Sequence, residues 1–135
     1  MPSSETIWRT IADVFGRDLA RPIEWLSLLL LAGWLQFLLT QPDVFQSPRY
    51  GAFAGVSPWV WSTVIASILV AQLVALRPSR HAPTIRFVAM ALATGIWTVI
   101  ALSFWSGSYP ILARTHSVIA FAVIVTAIYL GLRRR

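Results

Sequence analysis

Apolar residues dominate four long stretches of the chain, and short segments containing Pro, Gly and Arg separate them. The stretches cover residues 22–40, 57–76, 87–105 and 111–132. The second and third carry no charge, and only Arg114 and His116 interrupt the fourth. A helix needs about 20 apolar residues to cross the ~30 Å hydrocarbon core of a bilayer. Each stretch therefore predicts a transmembrane helix.

The first 20 residues have a different pattern, in which apolar side chains recur every three or four positions between polar ones: Ile7, Trp8, Ile11, Ala12, Phe15 and Leu19. This spacing predicts an amphipathic helix that lies on the membrane surface or on a partner. The predicted fold class is an all-α integral membrane protein with two units. Residues 1–21 form the interfacial helix, and residues 22–135 form a four-helix transmembrane domain.

Composition agrees with this class, because 57% of the residues are hydrophobic and 12% are charged. A soluble domain carries about 25% charged residues. The four spans nearly exhaust the 135 residues, so no soluble catalytic module fits among them. The chain has no cysteine, which excludes disulfides, thiol nucleophiles and thiolate metal sites within it.

Arginines predict the orientation of the spans. Nine of the 11 arginines lie in the N-terminal segment, the central connection or the tail, and two lie in the other connections. Positive charge is retained in the cytoplasm, so both termini are expected to be cytoplasmic, in a bacterial-type inner (plasma) membrane. The residues predicted to set this topology are Arg77, Arg80, Arg86, Arg133, Arg134 and Arg135. Because these arginines flank apolar runs, they predict contact with membrane lipid rather than nucleic acid.

Aromatic residues cluster near the predicted ends of the spans. Trp and Tyr favour the headgroup region of a bilayer, so the following are predicted to be interface anchors: Trp8, Phe15, Trp25, Trp59, Trp61, Trp105 and Tyr109. Near the two connections predicted to lie outside, residues 41–56 and 106–110, there are more aromatic residues than anchoring requires. A partner or a capped outer vestibule is the alternative explanation.

Three polar residues in the spans are candidates for function. Glu24 is the only acid in a span, and such residues are functional candidates by default. Its place near the start of the first span favours a structural role with access to water, and a proton-coupled transporter is the alternative. Gln72 predicts an interhelical hydrogen bond. His116 and His81 lie near opposite membrane faces, so neither a metal nor another cofactor is expected.

No motif for phosphate binding, nucleophilic catalysis or a zinc protease occurs in the chain. We therefore expect no catalytic residue and no enzyme activity. A non-enzymatic structural or assembly subunit, associated with other membrane subunits or with itself, is the first functional hypothesis.

The segments Phe45-Gln46-Ser47-Pro48-Arg49-Tyr50 and Ser57-Pro58-Trp59-Val60-Trp61 resemble the outer turn of small multi-span membrane proteins of phages and prophages, some of them holin-like. The resemblance covers residues 25–86 and carries over no active-site residue. It implies a holin-like pore former as the alternative function.

Overall fold

A computed structural model describes residues 18–43, 47, 50, 53, 55–107 and 109–133, and this part of the chain forms four long helices. They are α1 (Ala20–Thr40), α2 (Pro58–Ala75), α3 (Ala82–Trp105) and α4 (Pro110–Arg133). All four are long and apolar enough to cross a membrane, and the described residues contain no strand. The predicted four-span, all-helical class is confirmed at this level.

The start of α3 differs from the prediction. The sequence predicts a basic connection that includes Arg86 and ends before residue 87, whereas α3 begins at Ala82 and includes Arg86. Pro83 lies in the first turn, where backbone N–H groups have no partner within the helix, so its missing N–H costs nothing. Arg86 is therefore a side chain of the bundle.

Each helix packs against the next one along the chain, and α4 packs against α1, which closes a four-helix bundle. Charged side chains from the starts of α1 and α3 and the end of α4 meet at one end, called here the ionic end. Aromatic side chains from the opposite ends of the helices meet at the other, called the aromatic end. Helices α1 and α3 thus run in one direction and α2 and α4 in the other.

The bundle has a filled interior and an apolar exterior. Leu31, Trp97 and Ile100 are completely buried at its centre. Ile111, Val118 and Phe121 of α4 are exposed, as are many other large apolar side chains. Helices that are apolar all round suit a membrane rather than water.

The N-terminal amphipathic helix remains a prediction, because residues 1–17, including Trp8 and Phe15, lie outside the described part of the chain. Arg134 and Arg135 also lie outside it.

Candidate functional site

The ionic end is held together by an ion pair between α1 and α3. The Arg86 guanidinium donates from Nε to Oε1 of Glu24 at 2.7 Å and from Nη2 to Oε2 at 3.1 Å. Arg21 approaches Oε2 of the same carboxylate to 3.5 Å. Glu24 is only 5% exposed, so it does not face water as the sequence analysis expected. A two-point contact of this kind fixes the orientation of both side chains.

Asp18, just before α1, extends the cluster. Its Oδ2 lies 2.7 Å from Nη1 of Arg86, and its Oδ1 lies 4.0 Å from Nη1 of Arg133 at the end of α4. Oδ1 also accepts a hydrogen bond from the backbone N–H of Ala20. Burial raises the pKa of the Asp18 carboxyl. Hydrogen bonds from Arg86 and Ala20 and the nearby positive charge outweigh burial, so the pKa lies below its ordinary value. Asp18 thereby connects α4 to the Glu24–Arg86 pair.

A second polar group lies deeper in the bundle and joins three helices. The Ser27 hydroxyl of α1 accepts hydrogen bonds from Nε2 of Gln72 in α2 at 2.9 Å and from the Trp97 indole of α3 at 3.0 Å. Gln72 Nε2 also lies 3.9 Å from the Met90 sulfur. Gln72 therefore makes an interhelical hydrogen bond, as predicted, and its acceptor Ser27 also binds Trp97.

Between these two polar groups is a cavity of about 10 Å³, bounded by residues that include Glu24, Gln72 and Arg86. That volume holds about one water molecule. Beyond it, Leu31, Trp97 and Ile100 fill the interior. The hydrogen-bonded group of Gln72 and Ser27 ends at Trp97, because the indole N–H of Trp97 donates a hydrogen bond and cannot accept one.

At the aromatic end, rings from several segments pack on Trp34 of α1. Phe53 stacks on Trp34 with ring centroids 6.4 Å apart, and Phe104 of α3 lies 5.9 Å from it. His116 of α4 meets Trp34 edge-on at 5.7 Å and Phe104 at 4.7 Å. Some of the aromatic residues near the α1–α2 and α3–α4 connections thus form internal packing rather than a belt at the membrane interface.

Beside this cluster an open groove of about 400 Å³ lies between α1 and α4, with Phe104 of α3 in its wall. We call it the α1–α4 groove. Its lining includes Gly33, Trp34 and His116. Nδ1 of His116 lies 2.8 Å from the backbone carbonyl oxygen of Leu112. A carbonyl oxygen only accepts, so Nδ1 carries a proton, and in the tautomer protonated at Nδ1 alone Nε2 is an acceptor.

The predicted interface anchors occupy different environments. Trp25, Trp59 and Trp105 are exposed on the bundle surface, and the Trp105 indole donates to the Ser117 hydroxyl at 2.8 Å. Trp61 instead packs edge-on against Phe53, with ring centroids 4.8 Å apart. Tyr109 is half-buried against the core.

Of the arginines predicted to set topology, Arg77 and Arg80 are exposed in the connection between α2 and α3. Arg133 lies over the Tyr129 ring, 5.5 Å from its centroid. Arg86 is the exception, because both of its carboxylate partners belong to the bundle.

Sequence reasoning missed the partners Asp18, Ser27 and Trp97. One signal was present, since Glu24 lies near the start of the first predicted span and Arg86 directly before the third, and these two spans are predicted to start at the same face. No group of three or more potential metal ligands occurs among the described residues. Comparison of the chain with protein families, with curated proteins and with solved structures gave no match.

Proposed function

We propose that the protein is a non-enzymatic structural or assembly subunit of a bacterial-type inner membrane, working in a homo-oligomer or in a larger membrane complex. The supporting observation is the use of its one intramembrane acid. Both oxygens of Glu24 are bound by Arg86, which joins α1 to α3. A carboxylate committed in this way holds helices together and is not free to bind a solute or carry a proton.

The filled interior supports the same proposal. Leu31, Trp97 and Ile100 are completely buried at the centre of the bundle, and the cavity beside Glu24 and Gln72 has room for about one water molecule. A single copy of the bundle, over its described residues, therefore offers no continuous polar path between the two ends. A passage for solutes would have to form between chains.

The exposed apolar side chains are the surfaces on which we expect partners. Phe121 and Val125 of α4 border a shallow depression of about 360 Å³ shared with the first turn of α1. Ile111 and Val118 extend the apolar face of α4 toward the aromatic end. Lipid covers such a face in a monomer, whereas another protein subunit covers it in an assembly.

Site-specific photo-crosslinking in intact membranes tests the proposal. A photoreactive phenylalanine analogue replaces Phe121 or Val118 in turn, and completely buried Ile100 serves as the control position. We expect a protein–protein adduct from at least one exposed position and none from position 100. Adducts to lipid alone from both exposed positions, 118 and 121, would overturn the assembly role of this face.

The holin-like pore former is the second candidate, because the filled bundle requires any pore to lie between copies. It predicts that induced expression collapses the membrane potential and that cells lyse when a muralytic enzyme is present. Growth with an unchanged potential at high expression would remove it.

The coupled transporter has less support, since Arg86 occupies the carboxylate that it needs. It predicts that Glu24→Gln abolishes substrate movement. Equal activity of this variant and the unchanged protein would eliminate that alternative.

A further inference from the structure

We propose that the α1–α4 groove binds a lipid-soluble molecule with a flat, hydroxyl-bearing ring, whose O–H donates a hydrogen bond to Nε2 of His116. Three observations carry this assignment: an imidazole acceptor at the wall of the groove, ring faces around it, and open space of ligand size. The groove is separate from the ionic end, so the inference does not depend on the role proposed for Glu24.

The hydrogen-bond state of His116 defines the polar part of the ligand. Nδ1 donates to the Leu112 carbonyl, so in the tautomer protonated at Nδ1 alone Nε2 accepts a hydrogen bond from a donor outside the ring. No hydrogen-bond partner for Nε2 occurs in the part of the chain that the structure describes. His116 is six residues into α4, which places it about 9 Å below the start of that helix. Inside a membrane, an unmatched acceptor favours a ligand that brings its own donor.

The walls of the groove define the apolar part. Trp34, Phe37 and Phe104 present aromatic rings, while Leu29 and Leu30 extend the lining toward the middle of α1. Aromatic walls favour offset or edge contacts with another ring. The leucine side chains of the lining suit a hydrocarbon substituent on the ring of the ligand.

The space is adequate and reachable. Its volume of about 400 Å³ falls in the range of small-molecule sites, about 300–1,000 Å³. At Gly33, which lies in the lining, a Cβ atom would meet no other atom within 4 Å. The groove is open along the side of the bundle, so a molecule dissolved in the bilayer reaches it without crossing the headgroups.

A matched pair of probes tests the role of the donor. The probes are 4-bromo-2,6-dimethylphenol and its methyl ether, which differ in the hydroxyl hydrogen. Bromine quenches tryptophan fluorescence on contact, and Trp34 lies in the groove wall. Trp25, Trp59 and Trp105 are exposed, so these and Trp8 are replaced by phenylalanine in every protein compared. Binding is measured on the full chain in lipid nanodiscs, with probe concentrations expressed per lipid to remove differences in partitioning. We expect the phenol to bind about fivefold more tightly than the ether, the ratio that one net hydrogen bond gives.

Three variants locate the effect. His116→Phe should bring the phenol down to the affinity of the ether, and Gly33→Leu should weaken both probes by filling the groove. Gly95→Leu is the matched control, because a Cβ atom there also meets nothing within 4 Å and Gly95 lies outside the groove. It should bind both probes as the unchanged protein does.

Equal affinities of the two probes for the unchanged protein would overturn the proposal, since the groove would then be an apolar cleft for lipid chains. Quenching that Gly33→Leu leaves unaltered would also overturn it. If His116→Phe fails to fold, the phenol-to-ether ratio in the unchanged protein still decides the matter.

Discussion

Removing the Arg86 guanidinium should destabilise the bundle more than removing any exposed arginine. In Arg86→Met, the buried Glu24 carboxylate loses its contacts of 2.7 and 3.1 Å and keeps only Arg21, at 3.5 Å. Breaking one side of a buried pair costs about 3–5 kcal/mol. The remaining Arg21 contact reduces this cost, so we expect a loss of about 2–4 kcal/mol.

The assay is reversible unfolding in mixed dodecylmaltoside and SDS micelles, followed by circular dichroism. Arg80→Met, which changes an exposed arginine of the α2–α3 connection, is the matched control. Adding Glu24→Gln to Arg86→Met should restore most of the lost stability, because no buried charge then lacks a partner.

Unfolding of Arg86→Met and Arg80→Met at the same SDS fraction would contradict this prediction. A double variant no more stable than Arg86→Met would contradict it as well.

Three further predictions concern other parts of the molecule. Ser27→Ala should cost about 1–3 kcal/mol in the same unfolding assay, because two buried N–H donors lose their acceptor, whereas Ser67→Ala on the exposed side of α2 should cost little. The pKa of Asp18 is lowered in the folded protein, so the unchanged protein should be more stable than Asp18→Asn above pH 3.8. This advantage should vanish as the pH falls through the lower pKa of the folded state. An advantage that persists in stronger acid would contradict the prediction. Trp8→Asp combined with Phe15→Asp should release the predicted N-terminal helix from lipid or partner while the four spans still insert, as cysteine labelling at introduced sites can measure. Full labelling of those sites in the otherwise unchanged protein would show that no such surface helix exists.

The spans could be predicted from the sequence because the signal is local. Uninterrupted apolar runs such as 57–76 are long enough to cross a bilayer whatever surrounds them. Their ends were less accurate, because a proline looks the same whether it breaks a helix or begins one. Pro83 begins one, and this moved Arg86 from a connection into α3.

The contacts of the candidate sites could not be predicted, because they depend on packing between distant segments. Glu24 and Arg86 are 62 positions apart, and Ser27 and Trp97 are 70 apart. From the sequence alone, Arg86 is one of several basic residues at the boundary of a predicted span. The accessible face of His116 likewise depends on how α4 packs against Trp34 and Phe104.

The most direct test of the proposed assembly role is the mass of the protein extracted from its own membrane in polymer-bounded lipid particles, without detergent. Native mass spectrometry of these particles counts the protein chains in each one. The assembly role predicts a defined particle with more than one chain, either several copies of this 15.0 kDa protein or this protein with other subunits. A uniform population with a single 15.0 kDa chain would contradict it.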